Sequence, residues 1–283
     1  MLSPEVRQTV GHLLTEARTR LREAGIEDAS REAGRIWADL ARIPTGEAWL
    51  GRERRATPAE GERFLAAVER RVAGEPLAYV TGWTGFRRLT ILTDRRALIP
   101  RPETEGLVEL VLARVPGGVV ADVCTGTGCV ALALADEGRY ETVHAVERDP
   151  DAHALATENI RATGLRVRLH RGDLVTPLAG LALDALVANP PYVTDEEYAA
   201  LDPSVREWEP RPALASGRDG MEHTGRLLDE GRAVVRLGGM IALELDATRA
   251  GVSAEVARTF GWADIAVHRD LYGRERFLTA RRG

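Results

Sequence analysis

The chain has 283 residues and a mass of 30.8 kDa, room for one large domain or two unequal ones at roughly 100–200 residues each. Hydrophobic residues make up 44% and charged residues 29%, an ordinary globular balance, and such a length buries about three quarters of the unfolded surface without disulfide staples. A net charge of -5 argues against a basic nucleic-acid coat, and two cysteines, Cys124 and Cys129, exclude a disulfide framework or paired zinc knuckles.

The first 75 residues read as helices only. Ser3-Pro4-Glu5 looks like an N-cap with Pro at the first helical position. Val6, Val10, Leu13, Leu14, Ala17 and Leu21 then recur at helical spacing, ending near Gly25. A second helix carries Ala33, Ile36, Trp37 and Leu40 on one face and stops before Pro44. Thr57-Pro58-Ala59-Glu60 is a capping box, followed by a stripe of Phe64, Leu65, Val68 and Val72. Positions 1–75 hold 13 acidic and 13 basic residues. A neutral helical module without chemistry suits an adaptor or docking role. Residues 76–100 change character: Gly82, Gly85 and the β-rich run 89–93 predict a hairpin linker.

From about residue 101 the chain alternates strand and helix. Strands are expected at 119–123, 142–146, 167–170, 183–188, 240–245, 263–268 and 276–280. Asp149-Pro150 opens one intervening helix. Alternation of this kind means an α/β, doubly wound, mostly parallel sheet. The last two strands lie too close for a crossover helix and should pair antiparallel. No apolar run approaches the ~18–20 residues of a membrane span, and a basic-then-apolar leader is not evident. All 38 basic residues are arginine, and asparagine occurs only at Asn159 and Asn189. An asparagine retained in so biased a composition is a candidate for a specific task.

Asp122-Val123-Cys124-Thr125-Gly126-Thr127-Gly128-Cys129 follows an apolar strand and opens a helix. Glycines there let the backbone turn tightly and approach a ligand, beside the free N–H groups of a helix start. Gly126-x-Gly128-x-x-Ala131 also matches the dinucleotide fingerprint, so this loop alone does not separate a nicotinamide cofactor from S-adenosylmethionine. Glu147 ends the next strand 21 residues after Gly126, where a carboxylate can accept hydrogen bonds from both hydroxyls of a ribose. Asp122 is expected to face the methionine end of such a cofactor, and Asp173 to approach its adenine.

Asn189-Pro190-Pro191-Tyr192 follows the fourth strand of the sheet and decides between the cofactors. Ligands of open α/β sheets bind beyond the strands' carboxyl ends, and two prolines stiffen that loop. The Asn189 amide oxygen and a nearby backbone carbonyl can accept both N–H bonds of a planar NH2 group. Two acceptors so placed favour a pyramidal nitrogen whose lone pair points at an electrophilic methyl. Tyr192 can offer its ring face to a sulfonium cation. The motif gives methyl transfer to an amide-like or aniline-like nitrogen and leaves the substrate open, since adenine-N6 methyltransferases of DNA and RNA carry the same motif.

Three further stretches resemble the HemK/PrmC family, the glutamine N5-methyltransferases of peptide chain release factors. They are Glu75-Pro76-Leu77-Ala78-Tyr79-Val80-Thr81-Gly82, Leu98-Ile99-Pro100-Arg101-Pro102-Glu103-Thr104-Glu105, and Glu209-Pro210 through Ala213-Leu214 with Gly217-Arg218-Asp219-Gly220. The resemblance implies a Rossmann-like class I methyltransferase sheet behind a small N-terminal helical domain. It implies a cytoplasmic enzyme, with S-adenosylmethionine as methyl donor and the glutamine of a Gly-Gly-Gln motif in release factors as target; from charge and hydropathy no direct nucleic-acid or membrane partner is expected, and the enzyme is expected to be a monomer. Cofactor positions map onto Cys124, Thr125, Gly126, Thr127, Gly128, Glu147, Leu174 and Asn189. The substrate glutamine maps onto Asn189, Pro190, Pro191 and Tyr192. Three positions differ from the family pattern: Cys124 replaces a glycine, which a thiol permits if its φ is negative; Leu174 replaces an aromatic beside adenine; and Glu244 is not followed by the usual Gly and Gln. The roles of Arg101, Glu103 and Glu105 stay open between lining the site and favouring a helix start. The histidines form no metal-ligand cluster, and no nucleophile–base pair is evident.

Overall fold

The computed structural model describes residues 8–283, and the chain divides into two compact units. The first comprises the described residues up to Gly82 together with Pro203–Trp208. It contains α1 (Val10–Glu23), α2 (Ala29–Ala41), α3 (Thr45–Leu50), α4 (Pro58–Val72) and α5 (Leu77–Thr81). The helix start expected at Ser3-Pro4-Glu5 lies outside the described residues; α1 opens at Val10, where the Thr9 side chain accepts the His12 N–H. The expected stripe Val10, Leu13, Leu14, Ala17 and Leu21 is buried. It packs with Ile36, Trp37, Phe64 and Val68 in one apolar core, where the Trp37 and Phe64 rings meet edge-on at 5.2 Å. Thr57 and Glu60 form the reciprocal capping box at the start of α4. Within the stretch 76–100, Leu77–Thr81 is helical and belongs with the first unit. The hairpin β1 (Trp83–Phe86) and β2 (Leu89–Leu92) belongs with the second.

The second unit continues with α6 (Thr104–Arg114), β3 (Gly118–Val123), α7 (Cys129–Glu137), β4 (Tyr140–Glu147), α8 (Pro150–Thr163), β5 (Val167–Arg171) and β6 (Leu183–Ala188). There follow α9 (Asp195–Ala200), α10 (Pro203–Arg206, grouped with the first unit), α11 (Glu222–Val234), β7 (Val235–Glu244), α12 (Ala250–Thr259), β8 (Trp262–Arg269) and β9 (Glu275–Arg282). The sheet order is β5-β4-β3-β6-β7-β9-β8. Neighbours from β5 to β7 are parallel, and β9 inserts antiparallel between β7 and β8. All seven strands expected from the sequence are present, several of them longer. One face carries Leu186, Ile241 and Leu243 against Leu227, Leu228 and Trp262. The other carries Val120, Val187 and Ala242 against α6, α7 and the hairpin residues Phe86 and Ile91.

The chain order reverses between β3 and β6, the sheet's switch point. In such a sheet the loops beyond the strand ends diverge there and leave a crevice. Asp149 caps α8 by accepting the Asp151 and Ala152 N–H groups, with Pro150 at the first position, so β4 is followed at once by a rigid helix start.

Candidate active site

A cavity of about 250 Å³ opens beyond the carboxyl ends of the central strands. Asp122, Cys124, Thr125, Gly126, Thr127 and Glu147 line it from the β3 and β4 side. Asp173 and Leu174 line it after β5, and Asn189 and Pro191 after β6. Gly128, Pro190 and Tyr192 are not on its wall. Gly128 instead turns the chain into α7 at φ 84°, Pro190 is buried, and Tyr192 is half-buried with its phenol pushed up to about 12 by burial.

The loop after β3 is fixed by backbone bonds to β4 and within itself. Thr125 N–H reaches the Val146 carbonyl at 3.1 Å, and Gly128 N–H reaches the Thr125 carbonyl at 2.8 Å. Gly126 has φ 55°, and no heavy atom lies within 4 Å of where its side chain would stand. Its backbone is therefore open to a ligand. Cys124 has φ 61°, so the condition of a negative φ is not met: the turn out of β3 takes the left-handed region, and the cysteine adopts the conformation a glycine takes there more easily. Burial pushes its thiol well above the usual range. Leu174 is likewise left-handed, at φ 43°, and its buried side chain gives that wall an apolar surface.

Three acids surround this loop in different ways. Asp122 is buried; its Oδ2 accepts the Thr125 hydroxyl at 2.5 Å and the Ala131 N–H at 3.1 Å. It caps loop and helix while lining the cavity. Burial without a cationic partner pushes its carboxyl up to about 7. Glu147 accepts N–H groups from Gly126 at 2.9 Å, Arg148 at 2.8 Å and Asp149 at 2.9 Å. Burial raises its pKa against these three bonds. A carboxylate offers about four lone-pair directions, so one remains for a ligand hydroxyl. Asp173 is held by Arg226 at 2.9 Å and lies 3.6 Å from Arg148.

The stretch from Leu98 to Glu105 divides its residues between cavity and surface. Ile99, Pro100, Arg101 and Thr104 line the cavity. Buried Glu209 binds both the Ile99 N–H, at 3.1 Å, and the Arg101 guanidinium. One carboxylate thus joins two stretches of family-like sequence into one wall, which continues through Pro210, Pro212 and Ala213. Glu103 pairs with Arg274 at 3.0 Å, and Glu105 accepts the Arg87 N–H at 2.9 Å. The open question on this stretch therefore resolves residue by residue: Arg101 faces the cavity, while Glu103 and Glu105 fasten α6 to neighbouring elements.

Several residues at the site carry no local sequence signal. Asn189 donates its side-chain N–H to the Thr104 hydroxyl oxygen at 3.2 Å, and Thr104 favours the charged form of the buried Glu244. His223 lines the cavity, with Nδ1 2.8 Å from Ser216 Oγ. Ser216 is fully buried, so this pair braces a loop and is not an exposed nucleophile. The segment after the Asn189 loop is braced as well: Val193 and Ser216 exchange backbone bonds with residues across the loop at 2.8–2.9 Å. Asn159, the other asparagine, is buried and spans Leu92 N–H at 2.7 Å, Leu92 C=O at 3.0 Å and Thr127 C=O at 2.9 Å. It ties the hairpin to the glycine loop. Among the described residues, no helix is long and apolar enough to cross a membrane.

Comparison with known proteins places this architecture. Residues 12–82 match the PrmC N-terminal domain family, and residues 103–204 match the methyltransferase small domain family. A release factor glutamine methyltransferase of Moorella thermoacetica is 40% identical, over 97% of this chain and 99% of its own length. Its counterpart in Deinococcus radiodurans is 37% identical over 95% and 97%. In fold, a methyltransferase from Pyrococcus furiosus superposes with a TM-score of 0.55 at 20% identity, over 80% of this chain and all of the other. The chain belongs to the release factor glutamine methyltransferase family.

Proposed function

We propose that this enzyme transfers a methyl group from S-adenosylmethionine to the side-chain amide nitrogen of a release-factor glutamine, within the Gly-Gly-Gln motif that its family resemblance implies. The observation that carries the proposal is the meeting, at one cavity, of an acid-flanked glycine loop and the Asn189 loop. The cavity suits the donor: Gly126 is open, Glu147 keeps a free acceptor direction, and Asp122 is a buried acid without a cation. When bound, S-adenosylmethionine supplies an electrophilic methyl on a cationic sulfur.

The chain's own residues then bind and orient. Glu147 receives the ribose, and the backbone of Gly126 allows close approach. Leu174 and Ala213, both on the cavity wall, would offer the flat adenine apolar contacts, and Asp122 would favour the positive end of the cofactor. Asn189 Oδ1 and a backbone carbonyl of Asn189 or Pro190 accept the two N–H bonds of the glutamine amide. That pairing localises the nitrogen lone pair toward the methyl, and the prolines hold the acceptors still. No base is required in the attack, because the methylated nitrogen sheds a proton to solvent afterwards. Rate comes from alignment and fixed dipoles. Arg101 and Pro191 line the same cavity as Asn189 and would border the incoming side chain, with the half-buried Tyr192 following in the loop.

A single amide offers little binding energy, so selection of one glutamine draws on remote surfaces. We assign that docking to the helical unit ending at Gly82, whose balanced charge suits a folded protein better than a phosphate backbone. The enzyme works as a single chain in the cytoplasm. A tritiated methyl-transfer assay on release factor and on total RNA tests the proposal, with mass spectrometry locating the methyl. Label on the glutamine side chain is expected. Label on RNA adenine with none on release factor overturns it in favour of an adenine-N6 enzyme.

A further inference from the structure

Asn189 can serve as an acceptor only if its amide points the right way. Oxygen and nitrogen of a side-chain amide are nearly equal in size, so shape alone does not choose between the two orientations. Here the choice is made by neighbours. The β6–β7 pairing runs to Ala188 opposite Leu243, which brings the next residues, Asn189 and Glu244, level at the strand ends. Thr104, at the start of α6, lies between them. Its buried hydroxyl receives the Asn189 Nδ2–H at 3.2 Å and favours the charge of the Glu244 carboxyl, as a hydroxyl does when it turns its hydrogen toward a carboxylate.

A hydroxyl has one hydrogen, and an ionised carboxylate can only accept. Thr104 therefore spends its hydrogen on Glu244 and can only accept from Asn189. That leaves Nδ2 turned toward Thr104 and Oδ1 free for the cavity. If Glu244 carries a proton, the direction of the chain can reverse: Glu244 donates to Thr104, Thr104 donates to Asn189, and the amide turns over. Asn189 would then face the substrate NH2 with its own NH2, two donors against each other.

We propose that Thr104 and Glu244 are positioning residues that set the polarity of the Asn189 amide, so that its oxygen and not its nitrogen meets the substrate. This inference rests on the assignment of Asn189 as an acceptor for the substrate amide.

The surroundings of Glu244 agree with such a role. It is 2% exposed, its Oε2 has no hydrogen-bond partner, and it contributes nothing to a surface ion pair. Arg276 from β9 and Arg101 before α6 favour its charge, Glu103 opposes it, and the Tyr192 phenol lies nearby. Burial outweighs the two cations and pushes its carboxyl up to about 7. The device is therefore set at alkaline pH and released as pH falls through that value.

The composition supplies an unusually direct test. With asparagine only at positions 159 and 189, the full-length protein labelled with 15N-asparagine shows two side-chain NH2 pairs, and Asn189→Ala identifies which is which. The Asn189 pair is expected to shift between pH 6 and 8 in the wild type and to stop shifting in Glu244→Gln. In Thr104→Val it should move to the position of an unbonded amide. In transfer assays Thr104→Val should lose kcat on the order of 10²-fold, as for a misplaced catalytic group. The KM for S-adenosylmethionine should stay within a few-fold, and Thr104→Ser should recover most of the loss. An Asn189 pair indifferent to both Thr104→Val and Glu244→Gln, or a Thr104→Val enzyme of undiminished kcat, overturns the inference. Should Thr104→Val fail to fold, Glu244→Gln carries the comparison, and an Asn189 pair that still shifts with pH in that variant overturns the inference. The spectra need no substrate: an enzyme active on release factor with an indifferent amide sinks this inference alone, and one inactive on release factor sinks the substrate assignment alone.

Discussion

The two loops that meet at the cavity are built on opposite principles. The glycine loop between β3 and α7 is held many times over. Its backbone bonds itself, Asp122 takes two of its donors or those of its helix, Glu147 takes the Gly126 N–H, and Asn159 holds the Thr127 carbonyl. The Asn189 loop has two prolines and hence two fewer donors. Among the described residues its key side chain makes one hydrogen bond, to Thr104. Redundancy protects a shape, whereas a single directed bond selects an orientation. The cofactor loop should therefore degrade by degrees under mutation, in affinity and stability, while the Asn189 loop should fail abruptly in rate with its fold intact.

Asn189→Ala is the strongest way to break that contrast. Removing a group that acts in the transition state typically costs about 10²–10³ in kcat. S-adenosylmethionine affinity should change by a few-fold at most, because the lost acceptor serves the substrate amide. Turnover near wild type would remove the loop from the chemistry.

Asn159→Ala should give the reverse pattern. It strands the Thr127 carbonyl and both polar groups of Leu92, and unsatisfied buried groups cost about 1–3 kcal/mol each. Leu92 is partly exposed and regains water, so a net loss of about 2–3 kcal/mol is expected in denaturant titration. kcat at saturating donor should fall far less than in Asn189→Ala. Two asparagines in one chain would then separate cleanly into one for shape and one for chemistry.

Glu147→Ala lies between the two. Losing a charge-assisted hydrogen bond to a ribose should weaken S-adenosylmethionine by roughly 1.5–3 kcal/mol, read by calorimetry. The remaining backbone bonds should keep the loop folded. Unchanged affinity would leave Glu147 as a loop brace and nothing more.

The same contrast explains what the sequence discloses. The glycine loop, Glu147 and the Asn189 loop were legible because each is a local pattern tied to a strand end, and strand ends in a doubly wound sheet converge. The hairpin, the Thr57 and Asp149 caps and the antiparallel last strand were legible for similar short-range reasons. Thr104 was not, because its partner Asn189 lies 85 residues away. Asn159 reaches across 32 and 67 residues, so composition could flag it but not say what it holds. Glu244 looks like one acid at the end of an apolar strand until α6 covers it. For Cys124 a local preference pointed the wrong way: an L-residue avoids positive φ, yet the geometry of the turn overrode that preference.

Cys124 offers the smallest effect and the sharpest test of how the glycine loop is held. At φ 61° the left-handed region costs an L-residue roughly 1–2 kcal/mol. The surrounding bonds sustain that strain, which a loosely held loop would have relaxed. Comparing Cys124 directly with glycine mixes strain relief with lost packing, since the thiol touches the core beneath the sheet. Cys124→Gly against Cys124→Ala isolates the backbone, because both remove the thiol and only alanine keeps the strained Cβ. At an ordinary site alanine is the more stable by roughly 0.5–1 kcal/mol, through the greater freedom of glycine in the unfolded chain. Here the order should invert, with Cys124→Gly more stable than Cys124→Ala by about 1 kcal/mol. Paired thermal melts of the unliganded proteins read this directly. An alanine variant as stable as the glycine variant would mean that the loop relaxes once the thiol is gone, and that its apparent rigidity depends on Cys124 packing and not on the bonds around it.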